Sequence, residues 1–361
     1  MTIVFGEHYC RRRQLQRLAD SRRITLRREA NTKDGALDER IRGTRHPQAR
    51  SLCTGDSAVD FLERIGLYTR WFYLVRAYAD WVTEAENRGL TVGRVVILDQ
   101  TAQLELPETE LRRRMSENVQ VMRKAVQTGL TAERRSLSGL SGGDARKVYA
   151  RWQKGQSLVG DRISGAIVRA LAVSEVNASM GKIVAAPTAG SCGVLPAVLF
   201  TVEEAWSVPE DVLLTAMFTA AGIGMVLADR ASISGAEGGC QAEIGSAAAM
   251  AAAAAVEMSG GSPAQTAHAG AIALKSLLGL VCDPVGGLVE VPCVKRNAIA
   301  ATIALSAAEM ALAGVESAIP VDEVIDTMAA IGKQMPCALR ETAQGGLAIT
   351  PTGQRIRTSL I

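Results

Sequence analysis

Residues 235–255 read GAEGGCQAEIGSAAAMAAAAA: a glycine-rich turn, one cysteine, and a run of small apolar residues that continues to Met258. Side chains no larger than a methyl let neighbouring helices close in from every direction, so this run predicts a helix buried all round. A membrane span fails on length, because Glu257 and the glycines of GGSP cut the stretch far below the roughly 20 residues a span needs. Composition agrees with a helical core. Hydrophobic residues make up 48% of the 361 but aromatics only 4%, leaving Ala, Leu, Val, Ile and Met to fill the interior, a mix that suits packed helices better than a β-sandwich. The expected fold class is all-α, an Ala/Gly-rich helical domain with an N-terminal appendage.

The same texture extends outward from Leu130 as Gly-rich turns alternating with apolar helices: GLSGGDARKVYARWQ, GAIVRALAVSEVNASMGK, APTAGSCGVLPAVLFTVEEAW and PEDVLLTAMFTAAGIGMVLADRASISGAEGGC. Upstream, Pro107 and the acidic first turn of ETELRRRMSENVQVMRKAVQTG predict a helix that Gly129 stops. AVDFLERIGLYTRWFYLVRAYADWVTEAENRG has helical apolar spacing and stops at Gly89, whereas the β-branched LTVGRVVILDQ reads as a short strand or extended arm. Downstream, VDEVIDTMAAIG follows Pro320 as the last helix, ending at Gly332, and LRETAQGGLAITPTG is too rich in Gly and Pro to be helical. This divides the chain into a basic tail at 1–56, an N-terminal helical arm at 57–130 and a main domain at 131–361.

Net charge is +3, yet residues 1–50 hold 13 Lys and Arg against 6 Asp and Glu, a local +7. That segment has few aromatics and no recognition helix, so a solvated tail is expected and no nucleic-acid partner. MTIVFGEHYCRRR lacks the charged-then-apolar order of a secretory signal, so a cytoplasmic location is expected, and no membrane partner. Seven cysteines at irregular spacing suit metal or catalysis there better than disulfides.

Three of them share a setting. Cys240 in GAEGGCQAE, Cys282 in GLVCDPVGG and Cys293 in VEVPCVKRN each sit among Gly or Pro, which bring backbone N–H groups near a sulfur and break the ordinary helical path. Their separations of 42 and 11 residues do not fit a zinc finger, whose ligands come in close pairs. By spacing alone, metal ligands and three buried core cysteines both remain open.

Together with ENVQVMRKAVQTGL, GLSGGDA, EVNASMGKIVAAPTAGSCGVLPAVLF, ASISGAEGGCQAEIGSA, LGLVCDPVGGLVEVPCVKRNA and MPCALRETAQGGLAITPTG, these cysteines carry a resemblance from about Met115 to the C-terminus. Over this stretch the chain resembles the iron–sulfur-dependent L-serine dehydratases (L-serine ammonia-lyases), specifically their α chain. The resemblance implies a lyase, with Cys240, Cys282 and Cys293 holding a [4Fe–4S] cluster. Three thiolates leave one iron with an exchangeable position, so that iron can act as a Lewis acid. Coordination of the β-hydroxyl would ease the departure of hydroxide from L-serine, and the enamine would go on to pyruvate and ammonia. The pattern is similar to that of aconitase. It also implies a separate β chain, because related enzymes carry a Ser- and His-rich loop on a second domain and nothing here resembles it.

Anion donors for a substrate carboxylate are offered by the APTAGSCG turn, at Thr188, Gly190 and Ser191, and by the GLSGGD turn, at Ser141, Gly142 and Gly143, though either turn could equally be a tight helix connection. Lys295 and Arg296 follow Cys293 closely and are further carboxylate candidates, with helix capping or surface pairing as the alternative. Cys192 and Cys337 read as packing. No catalytic base is identified: His8 and His46 fall in the tail, and His268 in QTAHAG reads as a surface helix residue. Rival readings are an L-cysteine desulfidase-like lyase, which product analysis would distinguish, and a non-catalytic cluster-binding subunit. A pyridoxal-phosphate enzyme conflicts with the Ala-rich helical texture.

Overall fold

A computed structural model describes residues 77–132 and 135–360, and the basic tail and the beginning of the helical arm lie outside it. Among the described residues the architecture is all-α, and the only β-type pairing is an isolated bridge between Cys282 and Arg340.

α1 (Tyr78–Arg88) ends at Gly89 in the left-handed region, the stop expected from sequence. Its first N–H groups are capped from far along the chain, where Asp322 accepts from Tyr78 N at 2.8 Å and Ala79 N at 3.1 Å. α2 (Val92–Leu104) overturns the expected strand. Thr91 caps it by accepting from Arg94 N, and Val92, Val95, Val96 and Ile97 are all buried, so tertiary burial outweighs their β-preference. α3 (Glu108–Thr131) buries Leu111, Met115, Val119, Met122, Ala125 and Gly129 along one stripe. Gly129 is not its stop. The helix runs two residues further, and a Cβ at Gly129 would lie 2.3 Å from the Ala172 carbonyl oxygen. The glycine is therefore there for a close helix crossing.

α4 (Asp144–Gln153) and α5 (Gly160–Ala178) lead to α6 (Val194–Trp206) and α7 (Glu210–Arg230). α7 alone among the described helices is long and apolar enough to cross a membrane by length and composition, with 61% of its apolar window buried inside the bundle. After the single turn α8 (Gly235–Gly238), residues Gln241–Gly245 form a π-helical turn that runs into α9 (Ser246–Met258). Every residue of α9 is buried, as the alanine run predicts, and it packs against α6, α7, α10 (Pro263–Lys275) and α11 (Cys293–Leu312). Each buried carbon group contributes about 0.8 kcal/mol, and methyl-sized side chains bring the axes to the short end of the usual ~8–10 Å spacing.

α12 (Val321–Gln334) is not the last helix. α13 (Pro351–Ser359) follows, because Thr350 accepts from Gly353 N as N-cap and Pro351 occupies the first position, where its missing N–H costs nothing.

Candidate active site

Cys240, Cys282 and Cys293 come together from three segments and are 1%, 3% and 6% exposed, with no disulfide between them. Cys240 enters the π-turn at the mouth of α9. Gln241 locks it there: its N–H donates to Leu280 O at 2.9 Å, its side-chain amide donates to Met328 O at 3.1 Å, and its Oε1 accepts from Gly279 N at 2.9 Å. Cys282 is held by the C-terminal segment, donating to Leu339 O and accepting from Glu341 N, both at 2.9 Å. Arg340 sits between those partners, with its Nε buried and unpaired among the described residues. Cys293 opens α11.

The neighbouring Cys282 and Cys293 thiols hold the Cys240 thiol well below its ordinary range against the cost of burial, with the Arg296 guanidinium assisting. Cys282 and Cys293 are driven upward by the neighbouring Cys240 sulfur and by burial. Of the three sulfurs, Cys240 is therefore the one favoured as thiolate, flanked by two thiols and a cation. Arg296 donates to Cys240 Sγ at 3.4 Å and is anchored by Val281 O and Asp283, both at 2.9 Å. Asp283 also accepts from Leu347 N at 2.8 Å, which ties the tail to the same point.

This donor set fits a thiolate-bound metal group. The sulfurs are clustered, dry and charge-compensated, and Gly235 keeps space open beside them: a Cβ there would lie 3.2 Å from Cys282 Sγ. Cys192 does serve as packing, buried against Ala125, Val173 and Val176, and burial pushes its thiol up to about 12. Cys337 is exposed and does not pack in the core, because it lies in a short surface turn. His268 is half-buried on α10 and accepts from Ser317 N at 3.1 Å.

The APTAGSCG turn reaches the cysteines through a residue that sequence reading passed over. Thr188 Oγ1 donates to Glu243 Oε1 at 2.7 Å, and Glu243 has a carboxylate oxygen within 4.8 Å of the Cys240 and Cys282 sulfurs. Burial raises the Glu243 carboxyl to about 7, opposed by the Thr188 hydrogen bond and reinforced by the charges of Cys240 and Glu341. Its signal in the sequence is an acid in an otherwise apolar stretch, three positions after Cys240. Asn297, equally unremarked, clamps the turn to α11: it donates to Gly190 O at 2.7 Å and Cys293 O at 3.0 Å, and accepts from Gly193 N at 2.9 Å. Ser191 is fully buried, with its hydroxyl 3.2 Å from that of Thr188.

The GLSGGD donors face protein carboxylates. Ser141 Oγ donates to Glu290 at 2.7 Å, while the N–H groups of Gly143 and Asp144 donate to Glu175 at 3.1 and 2.6 Å and start α4. Gly142 lies between them in the left-handed region. Lys295 turns away from the sulfurs to Asp144, at 2.7 Å.

Residues 87–348 match the family described as serine dehydratase alpha chain. The chain is 50% identical over 287 residues to the probable L-serine dehydratase, alpha chain, of Bacillus subtilis, covering 80% of this chain and 95% of that one. It is 44% identical over 275 residues to the L-serine dehydratase, alpha chain, of Peptoniphilus asaccharolyticus, covering 76% and 94%. With the L-serine dehydratase of Streptomyces coelicolor it shares 40% over 272 residues, 73% of this chain and 58% of that longer one. The protein belongs to the serine dehydratase alpha chain family.

Proposed function

We propose that this chain is the catalytic α chain of an L-serine ammonia-lyase, releasing pyruvate and ammonia, and that Cys240, Cys282 and Cys293 hold a [4Fe–4S] cluster. The observation that carries the reading is the convergence of three buried cysteines from distant segments on one thiolate site, in a chain half identical to an L-serine dehydratase alpha chain. When bound, a cluster with three thiolate ligands supplies a Lewis-acidic iron for a β-hydroxyl.

The protein's own part is electrostatic and positional. Arg296, fixed by Asp283 and the Val281 carbonyl, offsets negative charge at Cys240. The Thr188–Ser191 turn is the proposed seat of the substrate carboxylate, with the Gly190 N–H as donor, Thr188 and Ser191 shaping the turn through their own hydrogen bonds, and Asn297 setting its distance from Cys293. Ser141 and Gly143 have their donors on Glu290 and Glu175, and Lys295 has its own on Asp144, so these residues support the walls of the site in this reading. Arg296 acts on the sulfur side.

The longer Streptomyces relative and the alpha-chain names of the others support a separate β chain as partner, supplying groups this chain lacks. A cytosolic location suits five free cysteines among the described residues. The test is pyruvate release from L-serine by the chain loaded anaerobically with iron and sulfide, alone and with the β chain. Pyruvate from the loaded complex supports the reading, and its absence there contradicts it.

A further inference from the structure

Glu243 and Glu341 approach the same point beside Cys282. The position that a Cβ would take on Gly235 lies 2.8 Å from Glu243 Oε2, 3.2 Å from Glu341 Oε2 and 3.2 Å from Cys282 Sγ. The two carboxylate oxygens are therefore close enough for a single cation to touch both. Neither carboxylate has an ion-pair partner among the described residues, although Glu243 is largely enclosed. For Glu243, largely enclosed beside the Cys240 sulfur, a negative charge is costly unless a cation joins it, while Glu341 reaches the same point from the solvent-exposed side.

The opposite side of Glu243 identifies which kind of cation. Its Oε1 takes the Thr188 hydroxyl at 2.7 Å, at the edge of the turn proposed for the substrate carboxylate. Glu243 thus stands between the carboxylate seat and the sulfurs, the place an amino acid would put its α-ammonium if its carboxylate lay on the turn and its β-carbon faced the metal centre. Glu341 is held in place by the backbone, donating its N–H to Cys282 O and adopting φ 62°, an uncommon conformation for a residue with a side chain. Gly235 is the residue that leaves room, since any side chain there would fill the space between the two acids.

We propose that Glu243, seconded by Glu341, binds the α-ammonium of the substrate, and so selects amino acids over hydroxy acids of the same size. The inference rests on the L-serine reading and adds the group that recognises nitrogen. It gives Glu243 a binding role, made through a charge-assisted hydrogen bond of the strong class.

The test compares L-alanine, which has the ammonium and carboxylate but no leaving group, with propionate, which lacks the ammonium. Each is titrated calorimetrically into the iron-loaded complex carrying wild-type chain or Glu243→Gln, with iron content measured on both. The expected result is L-alanine affinity lowered about tenfold or more, propionate affinity changed less than about twofold, and iron unchanged. Equal weakening of both ligands, no weakening of either, or loss of iron in the variant would overturn the proposal. Should Glu243→Gln fail to fold, Glu341→Gln is read the same way, with a loss of about threefold confined to L-alanine expected and an unchanged affinity contradicting it. A wild-type complex that forms no pyruvate from L-serine defeats the underlying reading. One that forms pyruvate while the variant binds L-alanine normally defeats only this inference.

Discussion

The Arg296 guanidinium donates to the Cys240 sulfur at 3.4 Å and is locked in that direction by Asp283. An arginine cannot shed its proton, so it stands as a permanent positive charge against the one sulfur that two neighbouring thiols already favour as thiolate. In the reduced, metal-free protein the trio should keep one thiolate at about pH 6, well below the ordinary thiol range, as read by ultraviolet thiolate absorbance. Arg296→Met should move that titration upward. A wild-type trio that is fully protonated at neutral pH would contradict the arrangement. Because the three thiols interact, the curve belongs to the group and not to one residue.

Asn297 satisfies two carbonyls and one N–H at the junction of the Thr188–Ser191 turn with α11. Asn297→Leu keeps the volume and leaves the Gly190 carbonyl and the Gly193 N–H unpaired, each at a cost of ~1–3 kcal/mol, while Cys293 O keeps its helical backbone bond. Urea denaturation of the metal-free chain should show a loss of about 3 kcal/mol, and activity should fall as the turn loosens. A variant with wild-type stability would mean that water replaces the amide.

Much of the site was legible before the structure, and the unread parts have a common cause. The helix ending at Met258 reads correctly because every neighbour of a uniform alanine run demands the same environment, and the three cysteines stand out through their Gly and Pro flanks. Val92–Leu104 misleads because its β-branched residues report burial, not strand. Gly129 misleads because a close crossing with Ala172 and a helix stop call for the same residue. The donors of Ser141 and Gly143 look free in local sequence, while Glu290 and Glu175, which take them, are far along the chain. Glu243 and Asn297 were visible as polar residues in apolar helices, a signal that gains meaning only once α9 and α11 meet the 188–191 turn.

Glu257 lies in the middle of this buried packing and accepts from Gly93 N at 3.1 Å and from the Thr219 hydroxyl. Burial raises its carboxyl above the ordinary value of 4.5, despite those hydrogen bonds. The folded chain therefore binds this proton more tightly than the unfolded chain does. The stability it contributes is full below about 4.5 and is lost as pH rises toward the folded value, at about 1.4 kcal/mol per unit within that window. Glu257→Gln should flatten the fall in melting temperature between acidic and mildly alkaline buffer. An unchanged slope would assign the pH dependence to other groups.

Ala251 is fully enclosed on α9. Ala251→Leu adds volume where helices already touch, and should destabilise the chain by ~1–3 kcal/mol in denaturant titrations. A neutral result would show unfilled space around α9.

The central claim is that the three converging cysteines hold the metal group. The most direct measurement is the iron and acid-labile sulfide content of the chain after anaerobic reconstitution, for wild type and for Cys240→Ser, Cys282→Ser and Cys293→Ser, with Cys192→Ser as control. The account predicts about four irons per wild-type and control chain, as a cubane cluster requires, and a marked loss in each of the three variants. Failure of the wild type to bind iron, or full retention in all three variants, would contradict it.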